Sequence, residues 1–505
     1  MSSGDRYYIT TAIDYSNGPP HMGHAFEKIG ADAMARYHRL KGERVRFLAG
    51  LDEHGLKVMQ TAASRGITPQ TWVDDIAAAF TSTWQRLLIS NDDFIRTTDA
   101  RHRHGVVELI RRIQTAGDLY LATYAGHYCV GCEAFKKKEE LEEIDGALRC
   151  PLHPSRDITW SEEENWFFRL SRYQDRLLKL LDERPEFVQP EIRRNEIRRA
   201  IERGLEDISV SRTRLPWGIA WPGDEAHTVY VWLDALTNYL SATGFPENGY
   251  EEIWPADVHV IGKDITRFHC IYWPAFLMSA GVELPRSVWG HGFINFGGAK
   301  LSKSAGVTVE LEAAITRHGP EALRYYLLAD VPWNSDGDFS VERFDDRYTA
   351  DLANNVGNLV NRTLSMIERY RGGVVPQSRP TRLDSTMAAA LLKYRAAMDD
   401  NLLHHGAAAA IELASASNVF IEEQAPWSLA KDPGRASDLD DTLGALARAL
   451  AGVSSLLEPF VPERMAGIAQ RLGLPGVPRL DQVISTDLTG QRVSRGEVLF
   501  PKPRE

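Results

Sequence analysis

The chain has 505 residues, of which 43% are hydrophobic and 25% charged, and carries a formal net charge of −11 at pH 7. At the usual ~100 to 200 residues per domain it should form about two to four domains. No apolar run reaches the ~18 residues of a membrane span, and the acidic balance gives no bulk footprint for indiscriminate nucleic-acid binding, though local patches can still select RNA.

The start, MSSGDRYYITTAI, lacks a basic stretch followed by an apolar one, so a cytoplasmic protein is expected. Residues 6–13, RYYITTAI, read as a strand. The turn NGPP follows, then a helix with Phe26, Ile29, Ala33, Tyr37 and Leu40 on one face and Gly42 as its stop. VRFLAG, residues 45–50, is a second strand. Such a βαβ unit implies a parallel sheet with its ligand at the carboxyl ends of the strands, where GHAF and GLDEHG fall.

From residue 118 the pattern is interrupted by a cysteine-bearing knot, the run KKKEELEEIDG and charged helices, including the basic stretch EIRRNEIRRAIERG at 191–204, which reads most simply as a solvated face. The α/β pattern resumes at TVYVWLDA and DVHVIGKD. Beyond about residue 345, long helical runs such as TADLANNVGNLVNRTLSMIERY and GAAAAIELASASNVFIEE predict a helical bundle, broken at RGGVVPQSRPTR and KDPGRASD.

Three patterns carry chemistry. His21 and His24 lie one turn apart at a helix amino terminus, whose unpaired N–H groups attract phosphate; there is no G-x-x-x-x-G-K-[ST] loop, so a nucleotide would need this other grip. In GGAKLSKSAG, residues 297–306, glycines flank Lys300 and Lys303, a loop able to close over a polyphosphate. CVGC and CPLH place Cys129, Cys132, Cys150 and His153 as two short knuckles separated by 17 residues, the spacing of a closed, structural tetrahedral zinc site. Cys270, in FHCIYWP, is expected to be a buried apolar thiol.

HMGH and KLSKS resemble the two signature motifs of the class I aminoacyl-tRNA synthetases, with Met22 and Leu301 as apolar departures. Over nearly its whole length the chain is similar to the methionyl-tRNA synthetases, with TAIDYSNGPPHMGH, GLDEHG, VYVWLDALTNY, VIGKDITRFH, GGAKLSKS, DLANNVGNLVNR and EEQAPW in that family's order. The resemblance implies an α/β fold: a Rossmann-type parallel-sheet catalytic domain in two halves, 1–117 and 226–325, split by a connective insertion at 118–225 with a zinc knuckle near 127–155. A stem-contact segment at 326–350 and an all-α helical-bundle anticodon-binding domain at 351–505 follow.

The implied activity is ATP-dependent ligation of L-methionine to tRNA(Met), including initiator tRNA, by a monomer with one structural Zn²⁺ and with Mg²⁺ accompanying ATP. The family's methionine pocket corresponds to Ala12, Ile13, Tyr15, Asp52, Trp232, Ala235, Leu236, Tyr239, Ile265 and His269. Asp52 ends a strand where a carboxylate can hold an ammonium group, and Trp232, Ala235 and Tyr239 share one helix face. The ATP site corresponds to His21, Gly23, His24, Glu27, Arg212, Gly262, Asp264, His291, Gly292, Ile294, Lys300 and Lys303, with His21, His24, Lys300 and Lys303 catalytic. The anticodon readers correspond to Asn358, Arg362 and Trp427. A catalytically silent tRNA-binding relative would carry damaged motifs. A class I synthetase of the valine or leucine type would carry a much larger insertion than the 276 positions between His24 and Lys300 allow.

Overall fold

The computed structural model describes residues 6–501 apart from 130–133, 137, 145, 152, 214, 297–298 and 301–309; at 124, 134–135, 153, 155, 161 and 299–300 it describes the backbone alone. The chain opens with β1 (Arg6–Thr11), β2 (Asp14–Tyr15), α1 (Met22–Leu40) and β3 (Arg44–Asp52), the βαβ unit read from the hydrophobic pattern. Gly42, at φ +88°, makes the turn out of α1 that a side chain would resist. Helices α2 (Leu56–Ser64) and α3 (Pro69–Arg86) lead to β4 (Asp93–Arg96) and α4 (Ala100–Thr115).

A wholly parallel sheet forms the centre: β10 (Val188–Gln189), β16 (Val288–His291), β15 (Val258–Gly262), β1, β3 and β2, with β4 also paired to β3. The chain winds from β1 to β3 and β4 on one side and returns as β15 and β16 on the other. Strand order therefore reverses between β1 and β15, and a crevice opens there at the carboxyl ends.

Between β4 and β15 the chain leaves the sheet as a long antiparallel hairpin, β5 (Leu119–Cys129) with β9 (His153–Phe168). The short strands β6 (Ala134–Lys136), β7 (Glu142–Ile144) and β8 (Ala147–Cys150) join this hairpin sheet, and β11 (Ile208–Ser209) pairs with the end of β9. Helices α5 (Gln174–Glu183) and α6 (Glu191–Glu202) enclose β10, so part of the 118–225 stretch returns to the main sheet as its edge strand. A small sheet of β12 (Ser211–Arg212), β14 (Asp224–Val229) and β13 (Ala220–Trp221) leads into α7 (Val231–Ser241), and α8 (Trp273–Ala280) follows β15.

After β16 come β17 (Ile294–Phe296) and β18 (Ala299–Lys300), with β19 (Gly337–Phe339) pairing parallel to β17 across α9 (Leu311–His318) and α10 (Pro320–Ala329). The remainder is helical: α11 (Val341–Arg347), α12 (Asn358–Arg371), α13 (Arg382–Asp399), α14 (Leu403–Gln424), the short α15 (Pro426–Leu429), α16 (Ala436–Leu457) and α17 (Pro462–Arg471). The run TADLANNVGNLVNRTLSMIERY, one helix by its periodicity, begins within a wider π-helical segment, Tyr348–Gly357, that passes directly into α12.

The helical region is tied to α1 by a buried ionic knot. Arg324 of α10, fully buried, lies 2.7 Å from Asp32 and donates to the carbonyls of Leu87 at 3.0 Å and Pro459 at 2.8 Å. Arg36 bridges Asp32 at 2.7 Å to Glu458 at 2.8 Å. Burial pushes the Asp32 carboxyl up, but Arg36 and Arg324 outweigh it and bring it down to about 2. Close approach is needed here too: a Cβ on Gly30 would lie 2.0 Å from the Trp333 ring.

Arg324→Met should therefore lower stability by about 3–5 kcal/mol, the scale for breaking one side of a buried ion pair. Urea unfolding checks this, and a loss under about 1 kcal/mol would mean that Arg36 alone satisfies Asp32.

Candidate active site

The crevice beside β1 is a cavity of about 480 Å³, within the usual ~300 to 1,000 Å³ of small-molecule sites. The sheet explains who lines it. Ala12 and Ile13 leave β1, Tyr15 lies on β2 and Asp52 ends β3; Gly262 ends β15 and Asp264, Ile265 and His269 follow it, while His291 ends β16 and Gly292 and Ile294 come next. His21, Gly23, His24 and Glu27 come from the amino end of α1, and Trp232, Ala235, Leu236 and Tyr239 from the inner face of α7. All ten residues read as a methionine pocket thus line one cavity, with nine of the twelve assigned to ATP.

His21 is the cap of α1. Its Nδ1 accepts from the backbone N–H of Gly23 at 3.1 Å and of His24 at 3.4 Å, while Nδ1 of His24 accepts from the His21 N–H at 3.3 Å. The two rings stack with centroids 3.6 Å apart. An accepting Nδ1 carries no proton, so each neutral ring keeps its N–H on Nε2, a donor on a residue that lines the cavity. Gly23 fits because a Cβ there would press on His21 Cε1 at 3.1 Å.

Beneath the histidines lies a buried charge cluster. Lys28 Nζ is 2.9 Å from Asp14 Oδ1 and 2.8 Å from Glu27 Oε1, and donates to the Ala12 carbonyl at 3.0 Å. Glu27 Oε2 also meets His291 Nε2 at 3.1 Å. Burial raises the Asp14 carboxyl to about 7. Glu27 is equally buried, yet Lys28 and His291 together hold its carboxyl below the ordinary range. Gly292 is obligatory, since a Cβ there would lie 2.0 Å from the Ser335 carbonyl oxygen.

The opposite wall is aromatic. Trp232 stacks on Phe268 at 3.7 Å between ring centroids with planes 7° apart. His269 Nδ1 lies 3.0 Å from the Ile265 carbonyl and Nε2 lies 2.7 Å from the Tyr239 hydroxyl. The carbonyl can only accept, so Nδ1 bears the proton and Nε2 accepts from Tyr239. Burial pushes His269 down to about 4.

Other assigned residues lie elsewhere. Arg212, on β12, lines a neighbouring recess of about 80 Å³ with Leu56, Tyr128 and Glu163, its guanidinium 4.3 Å over the Tyr230 ring. Lys300 is described only as backbone on β18, and Lys303 lies outside the described residues. In the helical region Asn358 and Arg362 occupy one side of α12, and the Arg362 guanidinium lies 5.9 Å from the Trp427 ring.

Of the zinc set, Cys129 and Cys150 are buried in one small cluster with Leu141, and Cys150 pairs with His153 in the β8–β9 register. Cys132 and the His153 side chain lie outside the described residues, and among the described residues no three His, Cys, Asp or Glu side chains form a metal group. Cys270 is buried as expected, which pushes its thiol up. The cavity also has lining residues that the motifs did not point to: Asp14, Phe26, Lys57, Val231 and Phe293. Asp14 and Val231 fall inside the stretches TAIDYSNGPPHMGH and VYVWLDALTNY, and Lys57 lies two residues beyond GLDEHG.

A family model described as "tRNA synthetases class I (M)" matches residues 7–159 and 147–364. The methionine–tRNA ligase of Mesorhizobium japonicum is 43% identical over 99% of this chain and 98% of its own length. That of Bacillus subtilis is 42% identical over 98% of this chain and 78% of its own length. A crystal structure of Mycobacterium tuberculosis methionyl-tRNA synthetase bound by methionyl-adenylate superposes with a TM-score of 0.94 at 40% identity, covering 98% of this chain and 100% of that one. The free-state structure of that protein gives 0.88 at 37% identity, covering 99% of each chain.

The buried His269 supports a pH prediction. Its folded value near 4 lies below the ~6.5 of an exposed histidine, so the folded state binds fewer protons between those values. The associated stability is complete above about pH 6.5 and is lost as pH falls towards 4. His269→Gln should flatten the fall in urea-unfolding free energy across that window by roughly 1–3 kcal/mol relative to the parent. Parallel pH profiles for the two proteins would refute it.

Proposed function

The chain belongs to the methionyl-tRNA synthetases of class I, and from that membership we propose how its cavity divides the reaction. The protein is a methionine–tRNA ligase: it joins methionine to ATP as methionyl-adenylate with release of pyrophosphate, then transfers the methionyl group to the 3′-terminal ribose of methionine tRNA. The observation that carries the residue assignments is that a single cavity holds both a capped helix terminus with two imidazole donors and an apolar, aromatic wall beside a strand-end carboxylate.

Asp52 holds the methionine ammonium, and Trp232, Ala235, Leu236, Tyr239, Ile265 and His269, with Ala12, Ile13 and Tyr15, surround the thioether, whose polarizable sulfur suits aromatic walls. The Tyr239 hydroxyl, oriented by His269, is the polar group on that wall. ATP lies across His21, Gly23, His24 and Glu27 on one side and Gly262, Asp264, His291, Gly292 and Ile294 on the other, with Arg212 at the margin, and we assign Lys300 and Lys303 of GGAKLSKS to it as well. Mg²⁺ brought with ATP would neutralise charge on the phosphates.

A carboxylate oxygen of methionine attacks the α-phosphorus and the bond to pyrophosphate breaks; a ribose hydroxyl of tRNA then attacks the activated carbonyl, and AMP leaves with its phosphate as the acceptor of the hydroxyl proton. The protein supplies position and fixed dipoles, and no nucleophile of its own. We assign residues 1–117 and 226–325 to the catalytic domain, 118–225 to the insertion, 326–350 to stem contact and 351–505 to the anticodon domain, read by Asn358, Arg362 and Trp427. The 39% exposure of Trp427, beneath Arg362, supports a stacking role. Cys129, Cys132, Cys150 and His153 would hold a structural zinc ion; two buried thiols in one cluster fit a soft metal. Among the described residues no helix is long and apolar enough to cross a membrane. We take the enzyme to act as a cytoplasmic monomer on methionine tRNA, initiator tRNA included.

ATP–pyrophosphate exchange measured with each of the twenty amino acids should be supported by methionine. Exchange with another amino acid and none with methionine would overturn the assignment. Trp427→Ala should weaken aminoacylation by about 5-fold to 150-fold, the range for losing one stacked base, and leave methionine-dependent exchange within about twofold. Equal losses in both assays would make Trp427 a packing residue.

Elemental analysis should find about one zinc per chain, falling towards zero in Cys150→Ser while the parallel-sheet core stays folded, because such knuckles are local folding units. A parent protein without zinc would end that assignment.

A further inference from the structure

We propose that Lys57 binds the α-carboxylate of methionine and, once the adenylate has formed, stays beside the α-phosphate into which that carboxylate has been joined. The inference rests on the reading of Asp52 as the ammonium site and adds its missing counterpart.

The first argument is charge. The cavity is lined by the acids Asp14, Glu27, Asp52 and Asp264, whereas among the described lining residues Lys57 is the one lysine or arginine. Lys28 is already committed beneath the floor to Asp14 and Glu27. Methionine and ATP both bring negative charge to the reacting atoms, and an acid-rich, partly desolvated cavity repels them unless a cation stands close by.

The second argument is placement. Lys57 lies in the first turn of α2, five residues beyond Asp52, and the loop between them is held at several points. The Trp217 indole donates to the Glu53 carbonyl at 2.6 Å, and the Gly55 N–H donates to the Trp217 carbonyl at 3.3 Å. Arg96 grips the Glu53 carboxylate at 2.5 Å, and His54 Nδ1 lies 2.6 Å from Asp234 of α7, the helix that supplies the aromatic wall. Gly55 turns the chain into α2 at φ +115°, which a side chain would oppose. Lys57 Nζ stands 5.9 Å from the centre of the Tyr15 ring, and Tyr15 is the residue paired with Asp52 in the sheet. Asp52 and Lys57 therefore both adjoin Tyr15, on a loop whose backbone is held before substrate arrives.

An amino acid carries its own ammonium and carboxylate on one carbon. Seating the ammonium on Asp52 brings the carboxylate within reach of a cation at the next position around the cavity. Arg212 is turned into the neighbouring recess, where it donates to Ser209 Oγ at 2.9 Å and to the Ser211 carbonyl at 2.7 Å. The lysine is thus the cation already facing the acid-lined cavity.

The test compares methionine with methioninol, which keeps the side chain and ammonium but has no carboxylate. Binding is followed by tryptophan fluorescence in the parent, Lys57→Met and Lys57→Arg, with circular dichroism and thermal unfolding as controls on folding. In Lys57→Met, methionine affinity should fall about 10-fold to 100-fold, the range for losing one charge-assisted hydrogen bond, while methioninol affinity stays within about twofold. The kcat/KM for methionine in pyrophosphate exchange should fall in step. Lys57→Arg should recover most of both losses.

Equal weakening of the two ligands in Lys57→Met, or no change in either, would overturn the proposal. If Lys57→Met does not fold, Lys57→Gln, which keeps a polar head without the charge, decides: a loss of affinity for methionine and not for methioninol supports the carboxylate contact, and an unselective loss or no loss rejects it. A parent protein without methionine-dependent exchange would instead overturn the functional assignment itself, so the two failures are distinguishable.

Discussion

The ammonium group of Lys28 is fully buried, with two carboxylates and a carbonyl around it at 2.8 to 3.0 Å. Taking a lysine out of water costs several kcal/mol, and any one partner withdrawn would leave buried charge uncompensated, so the cluster holds together as a unit or not at all. Its members belong to different elements. Ala12 and Asp14 lie where the chain leaves β1, Glu27 and Lys28 lie on α1, and Glu27 extends the cluster to His291 at the end of β16. The Ala12 N–H donates to the Val260 carbonyl at 3.0 Å, which ties in β15. The floor of the cavity is therefore fixed by electrostatic necessity, and the lining residues inherit their positions from it.

Helix α1 carries that constraint outward in both directions. At its amino end the His21–His24 cap satisfies backbone donors that would otherwise be orphaned. One turn beyond Lys28, Asp32 and Arg36 reach Arg324, Glu458 and the Leu88 carbonyl. Further on, the Tyr37 hydroxyl meets Asp399 at 2.7 Å. A single rigid element thus bears the imidazoles at one end and the contacts to the helical region along its length. Displacement of the helical region along this interface has α1 as its direct mechanical connection to the cavity.

What the sequence revealed follows from which interactions are periodic. The apolar stripe Phe26, Ile29, Ala33, Tyr37, Leu40 repeats with the helical turn and gave α1, and the face Trp232, Ala235, Tyr239 was legible for the same reason. Lys28 was not, because a lysine in a helix reads as solvent-facing until its partners from β1 are known. Val188–Gln189 is too short to carry a strand pattern, so its return to the main sheet inside the intervening stretch is visible only in three dimensions. Arg212 followed from a short motif match, yet its side chain is turned into the adjoining recess, a direction that spacing along the chain does not specify. Lys57 is not legible in the sequence, because α2 starts at an unusual Gly55 conformation and only that geometry aims its first turn at the cavity.

Three imidazoles of this cavity, those of His21, His24 and His269, are held as oriented dipoles. His21 and His24 each spend Nδ1 on the helix cap, and His269 spends Nε2 on the Tyr239 hydroxyl and Nδ1 on the Ile265 carbonyl. Such rings cannot exchange protons with the reactants without giving up bonds that shape the site. The first half-reaction does not ask them to, since carboxylate attack on phosphorus moves negative charge among oxygens and requires no proton from the protein. What it requires is compensation of that charge along the path from carboxylate to pyrophosphate, and fixed dipoles supply only part of it. The remainder needs a cation, and under the proposal above Lys57, whose Nζ stands 5.9 Å from the Tyr15 ring, would supply it at the carboxylate end of that path.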